Sequence, residues 1–183
     1  MTAFTPPSYD NAPDTTWSTA DLCDLALNDT SLALRIFPQG YQTFGGCRWY
    51  FGEALTVTAP HTGGAMSLAP VLSQAGHRRV LVVDAEGSSA QAILGDRMVA
   101  MAVQNNWSGI IINGFVRDTR VIARMPIGVH ALGAVPNRAA VMPPAEPTPS
   151  ITLHGFTVTS GDWIYADEDG VIVLARRHTE AVQ

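Results

Sequence analysis

The chain has 183 residues, 46% of them hydrophobic, and a formal net charge of −5. That length and apolar content suit one domain with a sizeable core, and the acidic balance excludes direct nucleic-acid binding through a basic stripe. No apolar run approaches the roughly 20 residues of a membrane-spanning helix, and the N-terminus lacks the basic-then-apolar pattern of a signal peptide, so a soluble, cytoplasmic protein is expected.

In chain order, residues 1–17 are rich in Pro, Thr and Asp and read as a flexible arm, leaving 18–183 as the domain. Ser18 or Thr19 is a plausible N-cap for a short helix over 18–27, where Leu22, Leu25 and Ala26 follow at helical spacing. Two glycine breaks in "YQTFGGCRWYFGEALTVTA" (41–59) precede an alternating run, predicting a loop that feeds a strand. A helix is expected from about Ala65 to Gln74, stopped by Gly76, and then a buried strand and turn in "RVLVVDAEG" (79–87). In 90–107, Met98, Met101, Ala102 and Asn105 share a face, so that block is helical from about Gly95. "GIIINGFV" (109–116) is a second buried strand, and 121–135 gives a short helix, a Pro break and a third strand. A loop with five prolines (136–149) leads to a period-2 stretch (150–175) that turns at Gly155, Gly161-Asp162 and Asp169-Gly170, an antiparallel meander. The fold class is α/β, a single domain with a parallel β-α-β core and a C-terminal antiparallel β meander.

In open α/β sheets, ligands bind beyond the carboxyl ends of the strands. Two such ends, "VVDAEGSS" and "INGFVRD", belong to consecutive strands of one β-α-β unit and are expected side by side. A helix starting near Gly95-Asp96 offers unpaired N–H groups and a positive dipole end to an anion, and Gly95 removes a Cβ from the approach. Arg117 suits the same anion with a bidentate fork, and Asp118 suits a hard cation such as Mg²⁺ or Mn²⁺ with water ligands. Together these would chelate a small 2-oxo acid, with a Lewis acid stabilising an enolate. Spacing alone leaves a plainer reading open: Asp96 as a helix N-cap and Arg117-Asp118 as an exposed turn.

The spacing of Asp96, twenty residues, and Arg117-Asp118 resembles the pattern of class II pyruvate aldolases that cleave 4-hydroxy-4-methyl-2-oxoglutarate, which share a fold with RraA, the regulator of ribonuclease E activity. The resemblance covers about residues 18–175, through "TADLCD" (19–24), "FGG" (44–46), "VLVVDAEG" (80–87), "LGDRMVAMAVQNNWSGIIINGFVRD" (94–118), "IGVHALGAVP" (127–136) and "SGDWIYADEDGVIVL" (160–174). It implies a swivelling β/β/α-type domain that assembles as a homotrimer or hexamer with sites at subunit boundaries. It also implies that the backbone amides of Gly95, Asp96, Arg97 and Met98 hold the substrate carboxylate. Arg117 would bind substrate and stabilise the enolate, Asp118 would ligate the metal, and Asp96 would position a water on that metal for proton transfer. Oxaloacetate decarboxylation is expected from the same pyruvate enolate. The regulator branch implies a different role, a non-catalytic inhibitor with a ribonuclease E-like protein partner.

Three features depart from or qualify that pattern. Ala85-Glu86 replaces glycines in the turn after "VVD". The regulators often lack the Asp after the Arg, and this chain keeps it. The better-known aldolases carry a C-terminal extension that brings a Glu into a neighbour's site; here Glu180 is the acidic residue in the stretch before Gln183. Elsewhere, Cys23 and Cys47 fit no metal or redox spacing and read as reduced thiols. The five histidines are scattered, with His130 and His154 expected as hydrogen-bonded core or interface residues. Asp162 and Asp167-Glu168-Asp169 read as hairpin turns.

Overall fold

The computed structural model describes residues 17–59 and 64–178, so the N-terminal arm up to residue 16, His61 and Glu180 lie outside the described residues. The elements run α1 (Thr19–Asn28), β1 (Arg35–Ile36), β2 (Gln42–Thr43), β3 (Tyr50–Thr58), α2 (Ala69–Leu72), β4 (Val80–Asp84), β5 (Ala92–Leu94), α3 (Asp96–Gln104), β6 (Gly109–Val116), α4 (Thr119–Ile122), β7 (Gly128–Ala134), β8 (Glu146–Thr148), β9 (Ser150–Leu153), β10 (Phe156–Thr159), β11 (Trp163–Ala166) and β12 (Val171–Leu174). One mixed sheet has the order β1-β12-β11-β3-β4-β6-β7-β2, with β5 added to β6 and β8 to β3. Its centre, β3-β4-β6-β7, is parallel. The central strands are buried on both faces, as continuous Val/Ile/Leu runs require. Helices α2 and α3 cover one face, where Leu81, Val83, Ile110 and Ile112 meet Leu72, Val99 and Ala102. The other face, with Val80, Val82 and Ile111, is closed by the β9–β10 hairpin through Ile151, Leu153 and Val158. The expected α/β domain with a parallel core is the observed architecture.

Four local departures have physical causes. The second helix is confined to Ala69–Leu72, because Pro70 is accommodated only in a first helical turn. The residues upstream are used otherwise: Gly64 lies against the Ala85 carbonyl at φ +70°, and Ser67 exchanges backbone hydrogen bonds with Pro143 and Ala145. The proline-rich loop contains β8, which runs antiparallel to the second half of β3 with Pro147 opposite Val57; an edge strand tolerates that proline. The expected meander is two hairpins in different sheets. β9–β10 forms its own two-stranded sheet, and β11–β12 extends the main sheet beyond β3. His154 lies exposed in the β9–β10 turn at φ +50°, outside the apolar strand expected for it.

The arm boundary also moves. Trp17 is buried and stacks on Trp49 with ring centroids 4.2 Å apart, so it belongs to the domain. Ser18 caps α1, its Oγ accepting from the Asp21 N–H at 3.0 Å, and Asp167 accepts from both Thr19 N and Oγ1 at 2.6 and 2.7 Å. The acidic turn after β11 therefore also anchors the start of the first helix. Cys23 and Cys47 are free thiols.

Candidate functional site

A break in strand pairing creates the site. β4 pairs with β6 as far as Asp84 opposite Asn113. The chain then loops out over residues 85–91 and returns as β5, which pairs with β6 at Phe115 and Val116. β5 thus occupies the line that β4 vacates and delivers Gly95 and the first turn of α3 beside the end of β6. The Arg117 N–H donates to the Leu94 carbonyl at 2.9 Å, which ties the two chain ends together. The turn that loops out is locked to β6: Asn113 Nδ2 donates to Asp84 Oδ1 at 2.8 Å, and the Ala85 and Gly87 amides both donate to the Asn113 carbonyl.

Gly95 is the N-cap of α3, in an extended conformation that any residue adopts. Space is what demands glycine here. A Cβ would stand 2.8 Å from Asp118 Oδ2 and 3.1 Å from Arg117 Nε. Asp118 has φ +58°, in the left-handed region that Asp enters more readily than most residues. Its carboxylate lies 3.4 Å from Arg117 Nε and accepts a long 3.4 Å hydrogen bond from the Asp96 N–H. Asp96 Oδ1 accepts from the Arg97 N–H at 2.7 Å, and the Met98 N–H donates to the Gly95 carbonyl at 3.1 Å. Two carboxylate oxygens of the chain itself thus occupy donors at the start of α3, the position where helix polarity favours an anion.

A cavity of about 270 Å³ opens here, lined by Gly95, Asp96, Arg97, Met98 and Arg117 together with Ser67, Arg138 and Met142. The structure therefore brings together every residue singled out in the sequence for this site, Asp118 adjoining through its contact with Arg117. It adds Arg138 and Met142 from the proline-rich segment, which carried no periodic or motif signal. A larger cleft of about 640 Å³ lies at the opposite end of the strands, near Gly52 and Arg78. There Arg177 is stacked over Phe51 and Trp163, and Arg79 donates to the Gly76 and Ala75 carbonyls. Two of that cleft's cations are thus already engaged.

Among the described residues no three His, Cys, Asp or Glu side chains converge on a metal position. The donor set at the α3 end is one or two carboxylates, Asp118 and Asp96, with room for water. That set fits a hard divalent cation retaining most of its hydration, and not zinc with its nitrogen and sulfur ligands. Among the described residues no helix is long and apolar enough to cross a membrane.

Comparison with known proteins identifies the family. The model of the RraA-like family, described as Aldolase/RraA, matches residues 19–173. A protein of Laribacter hongkongensis named "Putative 4-hydroxy-4-methyl-2-oxoglutarate aldolase" is 40% identical over 84% of this chain and 93% of its own. Among solved structures, the RNA-processing inhibitor RraA from Thermus thermophilis superposes with a TM-score of 0.80 at 30% identity, covering 90% of this chain and 96% of its own. A structure described as an S-adenosylmethionine: 2-dimethylmenaquinone methyltransferase, from Geobacillus kaustophilus, gives 0.79 at 33% identity, covering 88% and 96%. The chain belongs to the RraA-like family.

Proposed function

We propose that the protein is a divalent-metal-dependent aldolase that cleaves 4-hydroxy-4-methyl-2-oxoglutarate, or a related 4-hydroxy-2-oxo acid, to pyruvate, and that it also decarboxylates oxaloacetate. The observation that carries this reading is the convergence of Gly95, Asp96, Arg117 and Asp118, with carboxylate oxygens already resting on the α3 amides. The aldolase name of the Laribacter relative supports the same reaction class.

In this reading the substrate carboxylate displaces Asp118 Oδ2 and Asp96 Oδ1 from the amides of Asp96 and Arg97, with Gly95 and Met98 completing the cradle. Arg117 turns its fork to the same end of the substrate and faces the oxygen on which enolate charge develops. Asp118, freed from the amide, would hold Mg²⁺ or Mn²⁺, with Asp96 nearby to orient a water for proton transfer. The metal, when bound, supplies Lewis-acid polarisation of the keto oxygen. In the aldol cleavage the C4 hydroxyl gives up its proton and becomes the carbonyl of the second product as the C3–C4 bond breaks, and in the decarboxylation the β-carboxylate leaves as CO₂; either way the electron pair stays on the pyruvate unit, and a proton delivered at C3 completes pyruvate.

Assembly as a homotrimer or hexamer belongs to this reading. Val141 is 80% exposed next to the cavity-lining Met142, and Val121 is 46% exposed just after Asp118, an apolar rim suited to a neighbouring subunit. The methyltransferase name of the Geobacillus structure fits this cavity poorly. A sulfonium cofactor is a cation, and three guanidinium groups line the wall. A second reading, inhibition of a ribonuclease E-like partner, is favoured by the likeness to the Thermus RraA.

The test is to incubate purified protein with oxaloacetate and Mg²⁺, with and without EDTA, and follow pyruvate. Metal-dependent release supports the enzyme. Absence of release, together with micromolar binding to the C-terminal region of a ribonuclease E, would support the regulator.

A further inference from the structure

We propose that Arg138 is a specificity-determining residue that binds the distal carboxylate of a dicarboxylic 2-oxo acid. This deepens the lyase reading above and rests on it for the placement of the proximal carboxylate. Three guanidinium groups, those of Arg97, Arg117 and Arg138, line the cavity, against one lining carboxylate, Asp96. Arg117 has Asp118 at 3.4 Å, whereas among the described residues neither Arg97 nor Arg138 has an ion-pair partner. With Asp96 and Asp118 set against the three guanidinium groups the wall carries one surplus positive charge, and a bound divalent cation would raise it to three, so a dicarboxylate offsets more of it than a substrate carrying one carboxylate.

Position separates Arg138 from Arg97. Arg97 is on the first turn of α3, at the end where the proximal carboxylate is received. Arg138 comes from a different segment of the chain, one fixed to β5. It bridges Ala92, the Ala92 N–H donates to the Asn137 carbonyl at 2.9 Å, and Asn137 Nδ2 donates to the Ala90 carbonyl at 2.6 Å. Its backbone is thus three residues of strand away from Gly95, about 10 Å, a span that a five-carbon dicarboxylate and an Arg side chain bridge together. A bidentate fork on a fixed loop distinguishes a carboxylate from a methyl group at the same place, because the unbranched apolar end leaves the fork unpaired.

The experiment measures equilibrium binding by calorimetry, with Mg²⁺ present, of two probes that need no turnover: 2-oxoglutarate and 2-oxopentanoate. They differ in that one ends in a carboxylate and the other in a methyl group. The wild-type protein is expected to prefer 2-oxoglutarate at least ten-fold. Arg138→Gln is expected to reduce that preference at least five-fold by weakening 2-oxoglutarate, and Arg138→Lys, which keeps the charge without the fork, is expected to fall between. Equal affinity of the wild-type protein for the two probes, including no measurable binding of either, overturns the proposal. So does a preference that Arg138→Gln leaves intact, or a loss that falls equally on both. Failure of the lyase reading registers separately, as absence of pyruvate release while the binding preference persists.

Discussion

The two ends of the parallel strands use the same residue for opposite purposes. At the start of β6 and β7, Gly109 and Gly128 flank the ring of Tyr50, and a Cβ at either would clash with its ring carbons. Tyr50 is fully buried, its hydroxyl 2.7 Å from His130 Nδ1, and His130 Nε2 lies 3.2 Å from Thr43 Oγ1. Every polar atom of that trio is matched and no room is left. At the other end Gly95 also makes room, but for an Arg-Asp pair about one-third exposed at the mouth of a cavity. Around Tyr50 the glycines close the core beneath the cleft that lies near Gly52 and Arg78, whereas around Gly95 the space is left to arginines that line a cavity. Glycine near a strand end therefore says that something approaches closely; only the approaching group says whether it is core or site.

Breaking the packed end has the largest expected effect. Gly128→Ala drives a methyl group into the Tyr50 ring and costs about 3 kcal/mol or more, read as a fall in Tm or loss of folded protein. The double variant with Tyr50→Leu should recover part of it. At the open end the pattern inverts. Arg117→Ala should lower pyruvate release by roughly 100- to 1000-fold while thermal stability stays nearly unchanged. If Arg117→Ala unfolds the protein, the two ends do not differ in the way described.

Acid sharpens the contrast at the packed end. Burial holds the His130 imidazole down at about 4, below its ordinary 6.5, although the Asp167 charge acts the other way. The folded state thus keeps His130 neutral while the unfolded chain takes up a proton below pH 6.5. Stability is complete above 6.5 and declines as pH falls toward 4, by up to about 3 kcal/mol from this residue. Denaturant titrations across that window should show a shallower decline for His130→Gln than for the natural protein. The smallest effect is expected far from both ends, at the α1 cap, where Ser18→Ala should cost about 1 kcal/mol and leave pyruvate release untouched.

Much of this was legible in the sequence, for reasons that differ by element. β4 and β6 were readable because continuous Val/Ile/Leu runs have few other uses, β7 from its place after the break at Pro126, and α3 because its apolar residues repeat at helical spacing. That Gly95 and Arg117 lie side by side was readable because the unit joining them has a known geometry, so position in the chain became position in space. β5 went unassigned, since three residues carry no period and their pairing depends on where β4 stops. β8 was hidden by its own proline, which argues against a strand until an edge position is known. Arg138 was invisible as a lining residue because the contact that fixes it, to Ala92, is made by backbone atoms. The turn at Gly155 was expected, but not that it takes in His154, because the alternation continued up to that residue.

The most direct test of the account follows pyruvate release from 4-hydroxy-4-methyl-2-oxoglutarate across a Mg²⁺ titration, with natural protein and Asp118→Ala side by side. The account predicts release that saturates with Mg²⁺ in the natural protein and falls at least 100-fold in Asp118→Ala, with both proteins equally folded. Release that is independent of the metal, or that Asp118→Ala leaves unchanged, would contradict it.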